Sequence, residues 1–265
     1  MHTVHRLDRP TSGALLLATS PDAARFYARA FETGQVHKTY LALVRGVPPD
    51  VVRVDHPIPS DEGGPRVPAI TSFVRVATVE TASSLREPRY SLVRASPETG
   101  RFHQIRRHLA HLRHPIVGDT NYGKGEHDRY CRSMFGIARL ALHAMGLSIP
   151  LASGGTLRVV CPVPADLASP LSKMGFARET WAPELLGPQT RRLVTAGSDV
   201  FEVAAAIDLG SFGRDLEDAV GERREEVPVV RDEDHRAFVS SEGRDQHFLR
   251  DHVEVVGRLI QDQKI

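Results

Sequence analysis

The sequence has few cysteines and no long apolar run. Two cysteines, Cys131 and Cys161, occur in 265 residues, and they form neither a C-x-x-C nor another metal-binding pattern. No apolar run approaches the roughly 20 residues that a helix needs to cross a bilayer, and His2–Arg9 is polar where a signal peptide would be apolar. These absences argue against a secreted disulfide-rich domain, and we expect a cytoplasmic protein without membrane contact.

Motifs for nucleotide chemistry and serine hydrolysis are also missing. Nothing in the chain matches G-x-x-x-x-G-K-[ST] or G-x-G-x-x-G, so we expect no nucleotide-driven chemistry. Ser12 lies in a Thr-Ser-Gly turn, but the chain has no G-x-S-x-G elbow. A Ser/His/Asp hydrolase is therefore disfavoured.

Charge is distributed unevenly along the chain. Residues 1–176 hold 22 Lys and Arg against 14 Asp and Glu, whereas residues 177–265 hold 12 against 19. The net charge of +1 thus conceals a basic body and an acidic tail, and basic bodies often bind polyanions. We predict one catalytic domain over 1–176, whose identity follows from the motifs below, and an acidic C-terminal extension of unknown fold over 177–265.

Hydrophobic periodicity predicts an α+β protein with a mixed, mostly antiparallel sheet flanked by helices. The predicted strands are Ala14–Thr19, His37–Gly46, Thr71–Thr81, Arg89–Ser96, Ala138–Ile149 and Thr156–Pro162. The predicted helices are Ala23–Phe31, Phe102–Arg113 and, near the end of the chain, Gln246–Gln263.

Two segments carry unusual polar chemistry. In HRLDRPTSG (His5–Gly13), Asp8 lies between Arg6 and Arg9, and the nearby positive charge favours the carboxylate. Asp8 is therefore a candidate nucleophile or base beside an anion, with a surface ion pair as the alternative. Between positions 101 and 114 the chain holds four arginines, four histidines and no acid. On a helical wheel Arg106 flanks the apolar stripe and can reach inward, whereas Arg107 faces solvent or a polyanion.

Metal binding is the main alternative for the histidine-rich segment. The tempting ligands are His103, His108, His111, His114 and Asp119. Interleaved arginines would repel a cation, however, so we expect no metal and favour histidines that face nucleic acid or cap the helix. A metal hydrolase stays open as an alternative that elemental analysis can decide.

Four segments in this order resemble the RluA-like pseudouridine synthases, which isomerise uridine in structured RNA. HRLDRPTSG resembles the catalytic motif with its essential aspartate, Asp8, and HKTYLALVRG is similar to the motif with the pocket tyrosine, Tyr40. TGRFHQIRRHLAHLRHPIVGDTNYG resembles the motif whose arginine, here Arg106, partners the aspartate. ARLALHA (Ala138–Ala144) matches a further segment that lines the pocket.

The resemblance covers about residues 2–176 and implies the pseudouridine synthase catalytic fold, an RNA partner and no cofactor. Family members carry a strand before the first motif, so the resemblance also implies that this N-terminal strand is missing. The insertion DRYCRSMFG is most like members that modify uridine 65 of tRNA. The alternatives are a synthase acting on large-subunit rRNA and an inactive RNA-binding remnant.

The resemblance also implies residue roles. Asp8 would act as a nucleophile or as the base that removes a sugar proton, and Arg106 would hold it ionised. Tyr40 would stack on the uracil and take the C5 proton. Arg6 would fill the space left by the flipped nucleotide, and Asp119 receives no chemical role beyond orienting its loop. The remaining candidate RNA contacts are Arg9, Arg101, Arg107, His111 and Arg113.

Overall fold

The computed structural model describes residues 2–181, apart from 62 and 124, together with two later strands. The strands are β1 (His2–Thr3), β2 (Ser12–Ala18), β3 (His37–Arg45), β4 (Val51–Asp55), β5 (Ile58–Pro59), β6 (Arg66–Val67), β7 (Ile70–Glu80), β8 (Arg89–Pro97), β9 (Leu142–Pro150), β10 (Thr156–Val160), β11 (Phe201–Ala205) and β12 (Val253–Arg258). The helices are α1 (Pro21–Glu32), α2 (Gln104–His111), α3 (Gly125–Phe135), α4 (Ala165–Lys173) and a 3-10 turn at Arg178–Thr180.

Ten of the described strands form one sheet. Its order is β11-β12-β2-β9-β3-β8-β7-β4, with β1 paired to β2 and β10 paired to β9, while β5 and β6 form a separate ribbon. The β2–β9 and β11–β12 pairs are parallel, and the other pairs in this sheet are antiparallel. The prediction of an α+β fold with a mixed, mostly antiparallel sheet is confirmed.

Local sequence signals explain where α1 begins and ends. The Ser20 side chain accepts a hydrogen bond from the Ala23 amide at 3.1 Å, and Pro21 occupies the first helical turn, where its missing N–H costs nothing. Gly34 follows the helix with φ of 73°, a conformation that glycine adopts without strain. The helix packs with β2, β9 and β10, whereas α2, α3 and α4 belong to a second core with β3, β7 and β8.

Strand β9 brings two distant motifs together. Gly13, at the end of the first motif, pairs with Ala144 in the parallel ladder, and Tyr40 of β3 pairs with the same residue in the antiparallel ladder. The register between β3 and β9 shifts at Tyr40, and such an irregularity redirects a side chain relative to a regular strand. The Asp8 turn and Tyr40 therefore lie across β9 from each other.

The structure also corrects the sequence predictions. The C-terminal helix predicted over Gln246–Gln263 is wrong at Val253–Arg258, which forms strand β12 on the edge of β2. The rest of that range lies outside the described residues. Helices α3 and α4 were not predicted, and α2 is shorter than expected. The boundary at residue 176 stays a prediction, since most of 177–265 lies outside the described residues. Among the helices of the described part, none combines the length and apolarity that a membrane span requires.

Candidate active site

The turn that carries Asp8 is held from both sides. Within the turn the Thr11 amide donates to the Asp8 carbonyl oxygen at 2.8 Å. His5 accepts the Leu16 amide at 2.7 Å through Nε2, and burial lowers the pKa of His5 to about 3, so it stays the neutral acceptor this bond requires. Gly13 has φ of 118°, and a Cβ there would lie 2.2 Å from a backbone oxygen of β9. Only glycine therefore lets the turn dock on β9.

A polar network that is buried at Ser12 and His143 and solvent-exposed at Asp166 anchors the same turn to β9 and α4. Arg139 donates to the Ser12 hydroxyl at 2.8 Å and pairs with Asp166 at 2.6 Å. The Ser12 hydroxyl lies 2.9 Å from Nδ1 of His143, whose Nε2 donates to the Cys161 carbonyl at 3.0 Å. Ser12 is fully buried, so this pair is structural and offers no exposed nucleophile. The arrangement agrees with the sequence argument against a serine hydrolase.

Arg106 connects two carboxylates of different burial. Its Nε and Nη2 donate to the two carboxylate oxygens of Asp119 at 2.8 and 2.9 Å, and its Nη1 donates to Oδ2 of Asp8 at 3.3 Å. The Asp119 side chain is 0% exposed, Arg106 is 5% exposed and Asp8 is 21% exposed. Burial opposes the charge of Arg106, but the hydrogen bonds and charges of Asp119 and Asp8 outweigh it and raise its pKa. Asp8 is thus an accessible carboxylate beside a fixed positive charge.

Asp119 does more than orient its loop, which was the only part assigned to it from sequence. Its Oδ1 accepts the backbone amides of Asn121 and Tyr122 at 3.0 and 3.1 Å while it also binds Arg106. The guanidinium carbon of Arg106 lies 5.2 Å from the centre of the Tyr122 ring, within reach of a cation–π contact. The sequence contained one indication of this role: Asp119 and Tyr122 lie in the same motif as Arg106, TGRFHQIRRHLAHLRHPIVGDTNYG.

Tyr40 lies near Asp8 and is only partly exposed. Burial, followed by the negative charge of Asp8, raises the pKa of Tyr40 well above its ordinary value. The phenol therefore remains protonated at neutral pH. A protonated phenol can stack on a base or donate a hydrogen bond, and the role of Tyr40 as acceptor of the C5 proton stays a prediction.

Most of the predicted RNA contacts are exposed. Arg6, Arg9, Arg101 and Arg113 are exposed, as is His111, which stacks on His56 at 4.0 Å. Arg101 precedes α2 and Arg113 follows it. The helix between these two arginines has eight residues and is therefore about 12 Å long.

Arg107 differs from the other predicted RNA contacts. It is half-buried rather than facing open solvent, and its Nε donates to the Tyr122 hydroxyl at 2.8 Å. Its guanidinium also lies 5.5 Å from the centre of the Phe102 ring. Arg107 therefore contributes to the packing behind the site.

The histidines of the third motif point in different directions. Both ring nitrogens of His108 make hydrogen bonds, one with the Thr71 hydroxyl at 2.9 Å and one with the His56 carbonyl at 3.0 Å. His114 makes a hydrogen bond with the Arg45 carbonyl at 2.9 Å. In the part of the chain that the structure describes, no three His, Cys, Asp or Glu side chains gather as metal ligands would.

Comparisons with known proteins indicate the family of this chain. Residues 1–111 match the family described as RNA pseudouridylate synthase. The chain is 42% identical over 163 residues to tRNA pseudouridine synthase C of Yersinia pestis, covering 56% of this chain and 63% of that protein. It is 44% identical over 160 residues to the protein of the same name in Salmonella typhimurium, covering 56% and 62%. The chain thus spans less than two thirds of these curated relatives.

Solved structures share the fold. Human RNA Pseudouridylate Synthase Domain Containing 1 superimposes with a TM-score of 0.53 at 32% identity, covering 62% of this chain and 69% of that one. Human RNA Pseudouridylate Synthase Domain Containing 4 does so with a TM-score of 0.53 at 30% identity, covering 65% and 75%. Together with the family match, these similarities show that the chain belongs to the RNA pseudouridylate synthase family.

Proposed function

We propose that this chain isomerises a uridine of structured RNA to pseudouridine, and that the RNA is a tRNA. The observation that carries the proposal is the partly exposed Asp8 carboxylate held by Arg106, whose own charge is compensated by buried Asp119. The curated relatives named tRNA pseudouridine synthase C favour tRNA over rRNA. The motif resemblance makes uridine 65 the first position to examine.

The reaction needs only rearrangement of one nucleotide. The glycosidic bond between C1′ and N1 breaks, the uracil turns, and a bond between C1′ and C5 forms. N1 then gains a proton and C5 loses one, so no electrons are exchanged with a second molecule. Asp8 either attacks C1′ or removes the 2′ proton, and both routes use the carboxylate that Arg106 holds in place.

The target nucleotide must leave its helix to reach Asp8. Flipping a base costs a few kcal/mol, which contacts to phosphates and a residue that occupies the vacated space can offset. Exposed Arg6 and Arg9 flank Asp8, and exposed Arg101 and Arg113 lie at the two ends of α2. Arg6 is proposed to occupy the vacated space. Tyr40 is proposed to stack on the flipped uracil.

The test uses the full chain and unmodified tRNA transcripts. Pseudouridine is mapped by carbodiimide labelling and primer extension, with Asp8→Asn as the inactive control and filter binding to compare RNA affinities. We expect one labelled position with the wild-type chain and none with the variant, at similar affinity. If rRNA transcripts are modified and tRNA transcripts are not, the substrate is rRNA and the tRNA part of the proposal is wrong. Binding without modification of either RNA would refute the proposed activity.

A further inference from the structure

His103 holds an unusual backbone conformation beside the catalytic carboxylate. Its φ is 54° and its ψ is 29°, a left-handed conformation that is uncommon for residues other than glycine and asparagine and that collects at functional sites. It precedes α2 without capping that helix through its side chain. Instead its Nε2 lies 3.9 Å from Oδ2 of Asp8.

The hydrogen bonds behind His103 favour one tautomer of its ring. Arg107 donates from Nε to the Tyr122 hydroxyl at 2.8 Å, and that hydroxyl lies 3.2 Å from Nδ1 of His103. Arginine has only donors, so the phenol oxygen accepts from Arg107, and this arrangement favours a Tyr122 proton directed to Nδ1. The neutral ring then carries its hydrogen on Nε2, the nitrogen that faces Asp8.

The His103 ring is surrounded by both negative and positive side chains. Burial lowers the pKa of His103 below its ordinary value, while the carboxylates oppose and the guanidinium groups reinforce this effect. The His103 ring therefore takes up a proton less readily than a free histidine. The groups that face it are Asp8, Arg106, Asp119, Arg107 and Tyr122.

We propose that His103 is a positioning residue that, with Arg106, holds Oδ2 of Asp8 so that Oδ1 is the oxygen that reacts with the ribose. Nη1 of Arg106 approaches Oδ2 at 3.3 Å, and Nε2 of His103 faces the same atom. The distance of 3.9 Å exceeds a hydrogen bond, but contacts of this kind commonly shorten when substrate binds. This inference rests on the proposed function.

The first measurement does not depend on activity. Long-range ¹H–¹⁵N correlation spectra of the ¹⁵N-labelled full chain at pH 8 report the tautomer of each histidine, and His103 is identified by the signals that His103→Asn removes. We expect hydrogen on Nε2 and an unprotonated Nδ1. Hydrogen on Nδ1, or on both nitrogens, would overturn the assignment.

The second measurement compares two replacements of His103. Asparagine tolerates the left-handed backbone and can bond to Tyr122, but its amide is too short to approach Asp8. The longer glutamine amide can present an N–H near the position of Nε2. We expect His103→Asn to slow single-turnover modification at least tenfold with RNA affinity unchanged within twofold, and His103→Gln to recover a large part of that loss.

Three results would overturn the proposal. These are an unchanged rate in His103→Asn, equal losses in the two variants, or a loss of RNA affinity that accounts for the slower rate. Thermal melting of both variants separates these outcomes from misfolding. If the wild-type chain modifies no RNA, the proposed function fails, whereas the tautomer still tests the hydrogen-bond assignment.

Discussion

Asp119→Asn and Asp8→Asn each remove one negative charge that faces Arg106. The two variants should nevertheless have very different effects on the free energy of unfolding. Asp119 is 0% exposed and binds Arg106 through both oxygens, whereas Asp8 is 21% exposed and makes one contact at 3.3 Å. Burial therefore decides the difference between the two variants.

The magnitude follows from the contacts that are lost. Asp119→Asn gives up one of two charge-assisted hydrogen bonds and leaves a buried guanidinium with only Asp8 as a counter-charge. Removing one partner of a buried pair costs about 3–5 kcal/mol, and we expect about 3 kcal/mol because Asp8 remains. Asp8→Asn should cost about 1 kcal/mol or less, since its contact is single and partly solvated.

Urea unfolding of the full chain, followed by circular dichroism, measures both free energies of unfolding. The matched double variant, Asp119→Asn with Arg106→Met, removes the unpaired charge. It should be less destabilised than the sum of the two single variants. The reasoning is refuted if Asp8→Asn destabilises as much as Asp119→Asn, or if the double variant shows the full sum.

Three further predictions concern pH, packing and RNA binding. Burial lowers the pKa of His143 from 6.5 to about 4, so the unfolded chain binds this proton first and stability falls as pH decreases through that window. Protonation of this histidine should lower the free energy of unfolding by about 2 kcal/mol between about pH 7 and 5. A urea midpoint that does not change between these pH values would contradict the prediction. Gly13→Ala should cost about 3 kcal/mol because its Cβ meets backbone at 2.2 Å, whereas Gly136→Ala, with open space around it, should cost only about 1 kcal/mol of left-handed strain. Arg101→Gln should weaken tRNA binding and reduce the salt dependence of binding by about one counterion. The control Arg25→Gln, which alters an exposed arginine paired within α1, should change neither. Equal effects of the two variants would show that Arg101 does not contact the RNA.

Secondary structure was predictable where local signals are strong. Helix α1 has a serine cap, a proline in its first turn and a glycine beyond its end. Helix α3 is also followed by a left-handed glycine, Gly136, but it has neither a serine before it nor a proline in its first turn. Part of what holds it is a 2.9 Å contact between the Tyr90 hydroxyl and Nδ1 of His127. That contact depends on a strand distant in sequence, so local patterns could not reveal the helix.

The wrong C-terminal prediction has a similar cause. Apolar residues in the last stretch suit a helical spacing, but the segment Val253–Arg258 is rich in valine and pairs with β2. A short β-branched run is compatible with either structure by periodicity alone. The neighbouring strand edge decides between them.

The candidate site divides in the same way. The sequence by itself identified Asp8, Tyr40 and Arg106 as the residues to examine, because each lies in a short segment that resembles a motif of a known family. Only the tertiary structure decided that Arg106 is shared between Asp8, 98 residues away, and buried Asp119. It also decided that His103 faces the same carboxylate. Burial and long-range contacts create these relationships, and both arise only when the turn before β2 and the start of α2 meet in the folded chain.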